Sequence, residues 1–145
     1  MTSFDPIAAE PRTGFQTLTD YRLTEWSENR AVVEMDAGPQ HGNRNNVVHG
    51  GMVMTLLDAA AGYALTWSDD PNVQRRTTTA SLTVNFMAPA KQGPLRAIAV
   101  ARGGGRKVVT CTAEVTDADG NVVAIAQGTF RNLPPVHRNG TPVTG

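Results

Sequence analysis

Residues 50–67, GGMVMTLLDAAAGYALTW, form the only stretch where apolar positions run on well beyond the length of a strand. The run has no proline and is rich in Ala, Leu and Met. It predicts a helix that is apolar on nearly every side and therefore buried. Ser68, Asp69, Asp70 and Pro71 end it. Elsewhere the pattern is shorter and β-like. Residues 15–24 and 30–36 predict two strands joined by a polar Ser-Glu-Asn turn, and residues 38–46 (GPQHGNRNN) predict a loop. Residues 77–87, 95–102, 106–116 and 121–130 predict four more strands. The Gly103-Gly104-Gly105 and Asp117-Ala118-Asp119-Gly120 turns make the last three into consecutive hairpins.

Two strands, one buried helix and four strands amount to an α+β domain with an antiparallel sheet. A single helix covers only one face of such a sheet. The Thr, Val and Ala positions of the other face need a partner, so the pattern predicts self-association. The domain is expected over residues 15–131, preceded by a loosely ordered lead-in (1–14) and followed by a flexible, proline-containing tail (132–145). No internal repeat interrupts it.

The bulk composition narrows the function classes. The chain has 145 residues, enough for one domain with its own core. Its 13 basic and 13 acidic residues cancel and are scattered, which argues against a nucleic-acid surface. The first residues lack the pattern of a secretory signal, and the apolar run carries a central acid that suits no membrane span. The lone Cys111 has no partner for an internal disulfide. A cytoplasmic protein is the expectation.

The helix poses a chemical question, because Asp58 is its only acid and no Lys or Arg lies near it in sequence. Burying an unpaired carboxylate is costly and is tolerated mainly where a poised acid or base is useful. At ~3.6 residues per turn, Asp58 shares a stripe with Gly51, Met54, Thr55, Ala61, Gly62 and Leu65. The small residues Ala61 and Gly62 would let a slender ligand or another helix come close. At the start of the helix, His49-Gly50-Gly51 offers free N–H groups and the positive end of the helix dipole, which suits a developing oxyanion. Gly50 and Asp58 are separated by ~12 Å along the axis at ~1.5 Å per residue. One acyl carbon therefore meets both only if they come from two chains, as in antiparallel packing across a two-fold axis.

The spacing N-x5-HGG-x6-LxDxA (Asn43, His49-Gly50-Gly51, Leu56, Asp58, Ala60), the strand TTTASLTVNFMAPA and the hairpin VTDADGNVVAIAQGTF resemble the hotdog-fold acyl-coenzyme A thioesterases of the phenylacetate-degradation (PaaI-like) type. The resemblance spans roughly residues 15–130. It implies a long central helix wrapped by a curved antiparallel sheet of about five to six strands, in dimers that often pair into tetramers. It also implies that the Gly50 N–H polarises a thioester carbonyl while Asp58 of the neighbouring chain acts as general base or nucleophile. By the same resemblance Asn43 orients water or thioester, and Thr79 helps hold the water. His49 suits fixing the loop better than touching substrate. Related enzymes with Glu at the acid position can carry a Thr one turn later; Gly62 stands there instead. Coenzyme A is part of the substrate, so neither a separate cofactor nor a metal is expected. Its phosphates suit Arg106 and Lys107 beside the triple glycine, with Gly51 and Gly62 as further substrate contacts. The alternatives are an acyl-thioester hydratase or dehydratase and a non-catalytic acyl-coenzyme A-binding protein. A serine hydrolase is disfavoured by the lack of a G-x-S-x-G motif.

Overall fold

The computed structural model describes residues 3–144. Its elements in chain order are α1 (Gly14–Thr19), β1 (Arg22–Ser27), β2 (Arg30–Ala37), a single 3₁₀ turn (Pro39–His41), α2 (Gly50–Ala64), β3 (Val73–Phe86), β4 (Gly93–Gly104), β5 (Val108–Asp117) and β6 (Val122–His137). All six strands join one antiparallel sheet in the order β1-β2-β4-β5-β6-β3. The sheet curves around α2, which touches every strand. This is the hotdog arrangement, with β1 and β3 as its two edges.

Small residues let the helix lie close to the sheet. Leu95, Ala97 and Ala99 of β4, Cys111, Ala113 and Val115 of β5, and Ala124, Ala126 and Phe130 of β6 form the buried inner face. They meet Val53, Leu56, Leu57, Ala60, Ala61 and Ala64 of α2 in one core. The alternation is clean in β4, where Arg96 and Ile98 face outward between the buried Leu95, Ala97 and Ala99. Trp26 fixes the far end of α2: its indole N–H donates to Tyr63 O at 2.7 Å, and the two rings meet edge to face. No helix among the described residues is long and apolar enough to cross a membrane.

Several expectations are corrected. Residues 15–24 are not one strand. Thr13 and Gln16 form a reciprocal capping box, Gln16 N donating to Thr13 Oγ1 and Thr13 N to Gln16 Oε1, which closes α1 before β1 begins at Arg22. The helix stops at Ala64 rather than Trp67. It is also apolar nearly all round in sequence but not buried all round. Gly51, Met54, Thr55, Asp58 and Gly62 lie on a side that the sheet of the same chain leaves open, whereas Ala61 is in the core.

The proposed tail is strand as far as His137, because β3 begins four residues earlier than expected and pairs with it, Val73 opposite His137 and Arg76 opposite Leu133. Pro134 and Pro135 fall where the β3–β6 register shifts, so their missing N–H groups cost no ladder bond. The Arg76 guanidinium donates to Pro134 O at 2.8 and 3.1 Å, holding this stretch. The lead-in is likewise tied down. Arg138 donates to Pro71 O and Ala9 O, pairs with Glu10 at 3.4 Å and stacks over Phe4.

The hairpins follow expectation. The β4–β5 connection needs glycine at position 104, where φ is +141° and a side chain would collide with the Val108 carbonyl.

Candidate active site

Asp58 lies in the middle of α2 on its open side. Thr79 of edge strand β3 donates its hydroxyl proton to Asp58 Oδ1 at 2.7 Å. Asp58 Oδ2 has no protein donor among the described residues. One carboxylate oxygen is thus oriented by the protein and the other is available. Asp58, Gly62 and Thr79 line a cavity of 460 Å³ that runs along the second half of α2. Its further wall comes from Thr13, Gln16 and Tyr21 around α1 and from Tyr63 of the helix.

Those wall residues have altered acidity. The Tyr21 hydroxyl is held above its ordinary range, first by burial and then by the Asp58 charge, with Arg12 acting in the opposite sense. Tyr63 is pushed up to about 12, mainly by burial and next by Glu10. Both phenols therefore remain neutral donors across the working range of pH. They give the cavity hydrogen-bonding capacity without adding charge beside the carboxylate.

The other predicted residues sit at the opposite end of α2. His49 is the N-cap: its Nδ1 accepts from Gly51 N at 2.8 Å, and its own backbone N donates to His41 O. The Gly51 N–H is thereby used within the loop, whereas the Gly50 N–H meets no acceptor among the described residues. A side chain at Gly51 would sit 3.0 Å from His49 Nδ1, which explains glycine there. Asn43 Oδ1 accepts from Asn45 N at 2.8 Å and Val47 N at 3.4 Å, so its carbonyl shapes the loop and its amide nitrogen remains unused. Behind the loop, buried His41 accepts from Gly38 N and donates from Nε2 to Thr19 O, tying the loop to α1. No sequence motif marked His41.

Within one chain, then, Asp58, Gly62 and Thr79 are brought together, while Asn43, His49, Gly50 and Gly51 form a second cluster about a dozen ångströms along the axis, at ~1.5 Å per residue. Arg106 and Lys107 line a third region, a cavity of 590 Å³ past the end of α2. Sequence reasoning missed Gln16, Tyr21 and Arg131, which have no local pattern and reach these cavities only through sheet closure. Among the described residues no group of His, Cys, Asp or Glu is arranged to hold a metal ion.

Comparison with known proteins agrees with this architecture. The thioesterase superfamily model matches residues 45–124, which include both Gly50 and Asp58. A Saccharolobus solfataricus protein named "Putative esterase SSO2140" is 31% identical over 111 residues, 77% of each chain. Among solved structures, the conserved protein PA5202 of Pseudomonas aeruginosa superposes with a TM-score of 0.77 at 27% identity, covering 84% of this chain and 95% of its own. The E. coli PaaI protein from the phenylacetic acid degradation operon shares the fold with a TM-score of 0.75 at 22% identity, covering 91% and 88%.

Proposed function

The chain belongs to the thioesterase superfamily, and on that premise we propose that it hydrolyses acyl-coenzyme A thioesters to the free acid and coenzyme A, with each site shared between two copies of the chain. The observation that carries this reading is the Thr79–Asp58 pair on the open side of α2, with one carboxylate oxygen oriented and the other available. The unused Gly50 N–H at the helix start supplies the complementary group.

In the proposed reaction the thioester carbonyl oxygen accepts the Gly50 N–H of one subunit. Asp58 of the other takes a proton from water as the water oxygen bonds to the carbonyl carbon. The carbonyl electron pair moves onto oxygen, where the N–H and the helix dipole stabilise it. Collapse of the tetrahedral species breaks the C–S bond, and the proton on Asp58 returns to the departing thiolate. A thiolate leaves without strong acid assistance, so one carboxylate suffices for both transfers. Direct attack by Asp58 through an anhydride uses the same geometry. The two-subunit arrangement follows from the spacing, because eight helical residues separate Gly50 from Asp58.

Thiol release from a panel of acyl-coenzyme A substrates tests the reading. Asp58→Asn is expected to lower kcat at least ~10²-fold, the usual cost of losing a general base. Full activity in that variant sinks the mechanism. Double-bond hydration without thiol release would indicate a hydratase, and tight binding without turnover a carrier or sensor.

A further inference from the structure

Three polar side chains are buried among the described residues: Gln16, His41 and Ser68. Gln16 caps α1 and lines the Asp58 cavity, and Ser68 closes the turn after α2. His41 has no part in the reaction outlined above, yet both of its ring nitrogens are engaged. The Gly38 N–H is a fixed donor, so Nδ1, 2.9 Å away, must accept from it. The ring proton therefore sits on Nε2, which donates to Thr19 O at 2.8 Å. One neutral tautomer satisfies both bonds.

What the two nitrogens hold decides their use. On the Nε2 side is α1, six residues long with only Gln16 buried, while Phe15 and Leu18 are exposed. A helix that short does not persist by itself, and so little burial does not fix where it lies. Its caps are internal, Thr13 with Gln16 and Asp20 N with Gln16 O, so they hold its shape rather than its place. The bond from His41 secures the last turn, one residue before the left-handed Asp20 and two before Tyr21. Thr13, Gln16 and Tyr21 form a wall of the Asp58 cavity, and Tyr21 is close enough for the Asp58 charge to help raise its hydroxyl, after burial.

On the Nδ1 side is the loop ahead of α2. The ring pins Gly38 N, and the His41 N–H returns to Gly38 O at 3.0 Å. The His41 carbonyl then accepts from His49 N at 2.8 Å, immediately before Gly50. With His49 Nδ1 capping Gly51 N, the aim of the free Gly50 N–H depends on this stack of bonds. His41 thus stands between two groups that, with the site shared between chains, never serve the same substrate. The wall goes with Asp58 of its own chain, and the Gly50 N–H with Asp58 of the other.

We propose that His41 is a positioning residue for two active sites at once: its Nε2–H sets the wall of the site completed by its own Asp58, and its Nδ1 sets the Gly50 N–H of the neighbouring site. The inference rests on the two-chain hydrolase reading and goes beyond it, since neither role brings the imidazole to the substrate.

The two roles separate chemically. Asparagine places an amide oxygen where Nδ1 stands and keeps the Gly38 bond, whereas glutamine reaches as far as Nε2 and keeps the donor to Thr19 O. The wall meets substrate in every bound state, but the N–H bonds the oxyanion most strongly in the transition state. His41→Asn should therefore raise KM with kcat nearly unchanged, and His41→Gln should lower kcat with KM nearly unchanged. Each effect is expected to be about three- to tenfold, the worth of one neutral hydrogen bond. Equal loss in kcat and KM in both variants would reveal only a damaged fold and overturns the proposal, as does wild-type behaviour in both.

Hybrids of Gly50→Pro and Asp58→Asn chains hold one intact site and assign each role to a chain. His41→Asn should act only on the Gly50→Pro chain, which retains Asp58, and His41→Gln only on the Asp58→Asn chain, which retains Gly50. The same effect from either chain overturns the proposal. Amide hydrogen exchange reads the two ties without turnover: the Asp20 N–H should lose protection in His41→Asn, and the His49 N–H in His41→Gln. Exchange split in this way beside hybrids that release no thiol removes the two-chain reading, and the proposal with it. Unsplit exchange removes the role of His41 and leaves the hydrolase reading standing.

Discussion

Thr79 and Asp58 join an edge strand to the central helix through one hydrogen bond of 2.7 Å, the hydroxyl donating and the carboxylate accepting. The bond engages Oδ1 and leaves Oδ2 without a protein donor among the described residues. Bonds to charged groups are worth ~1.5–3 kcal/mol, so Thr79→Val is expected to lower kcat roughly ten- to a hundredfold. Thr79→Ser keeps the donor and should retain most activity. Steady-state thiol-release kinetics of the two variants check this, and equal rates for Val and wild type would remove Thr79 from the mechanism.

Subunit complementation examines the shared site. Proline is tolerated at the first position of a helix and removes the N–H of Gly50. Gly50→Ala keeps that N–H and encroaches in the same way on Phe86, whose ring lies 3.3 Å from a Cβ built there, and so serves as the control. Gly50→Pro and Asp58→Asn chains, each inactive alone, should regain activity when co-refolded. Recovery of nothing, with mixed assembly verified by mass, would count against the two-chain geometry.

Gly62 separates helix stability from access. A Cβ built there meets nothing within 4 Å in the chain, and glycine in mid-helix costs ~1 kcal/mol relative to alanine. Gly62→Ala is therefore expected to raise Tm slightly while raising KM, since the added methyl enters the cavity beside Asp58. A lower Tm would mean that another helix, rather than substrate, needs the space.

Cys111 provides a pH marker of folding. Burial pushes its thiol up to about 11 from 9.0, against weaker opposing effects of the Val100 backbone and Arg102. Because the folded protein holds this proton more tightly than the unfolded chain, the thiol's contribution is fully present below pH 9. It declines as pH rises towards 11. At pH 8 the native thiolate fraction is about a hundredfold below that of the unfolded chain. Iodoacetamide should accordingly label the native protein very slowly and the urea-unfolded chain at once. Rapid native labelling would contradict the buried position.

Much of this was visible in the sequence where one segment alone decides the outcome. The helix from Gly50 betrayed itself by its length and composition, and Asp58 by its isolation. The hairpins after β4 followed from their glycine and aspartate turns. Helix α1 was hidden because Phe15 and Leu18 look like strand residues, although both are largely exposed and serve no core. The signal that could have found it is the Thr13-x-x-Gln16 box. The extension of β6 was hidden for the opposite reason: Pro134 and Pro135 read as breakers until the register shift opposite them is known. The cavity walls, from Gln16 and Tyr21 to Arg131, depend on which strands become neighbours, and no short window contains that information.

The long edge strand β3 runs beside the open stripe of α2, its 14 residues paired on one side only. Backbone donors and acceptors left free along such an edge invite another strand. If each site is shared between two chains as proposed, output per molecule would follow the odds of two copies meeting. Dilution, rather than heat or acid, would then be the gentlest way to turn this protein off, and reconcentration the way to turn it on again.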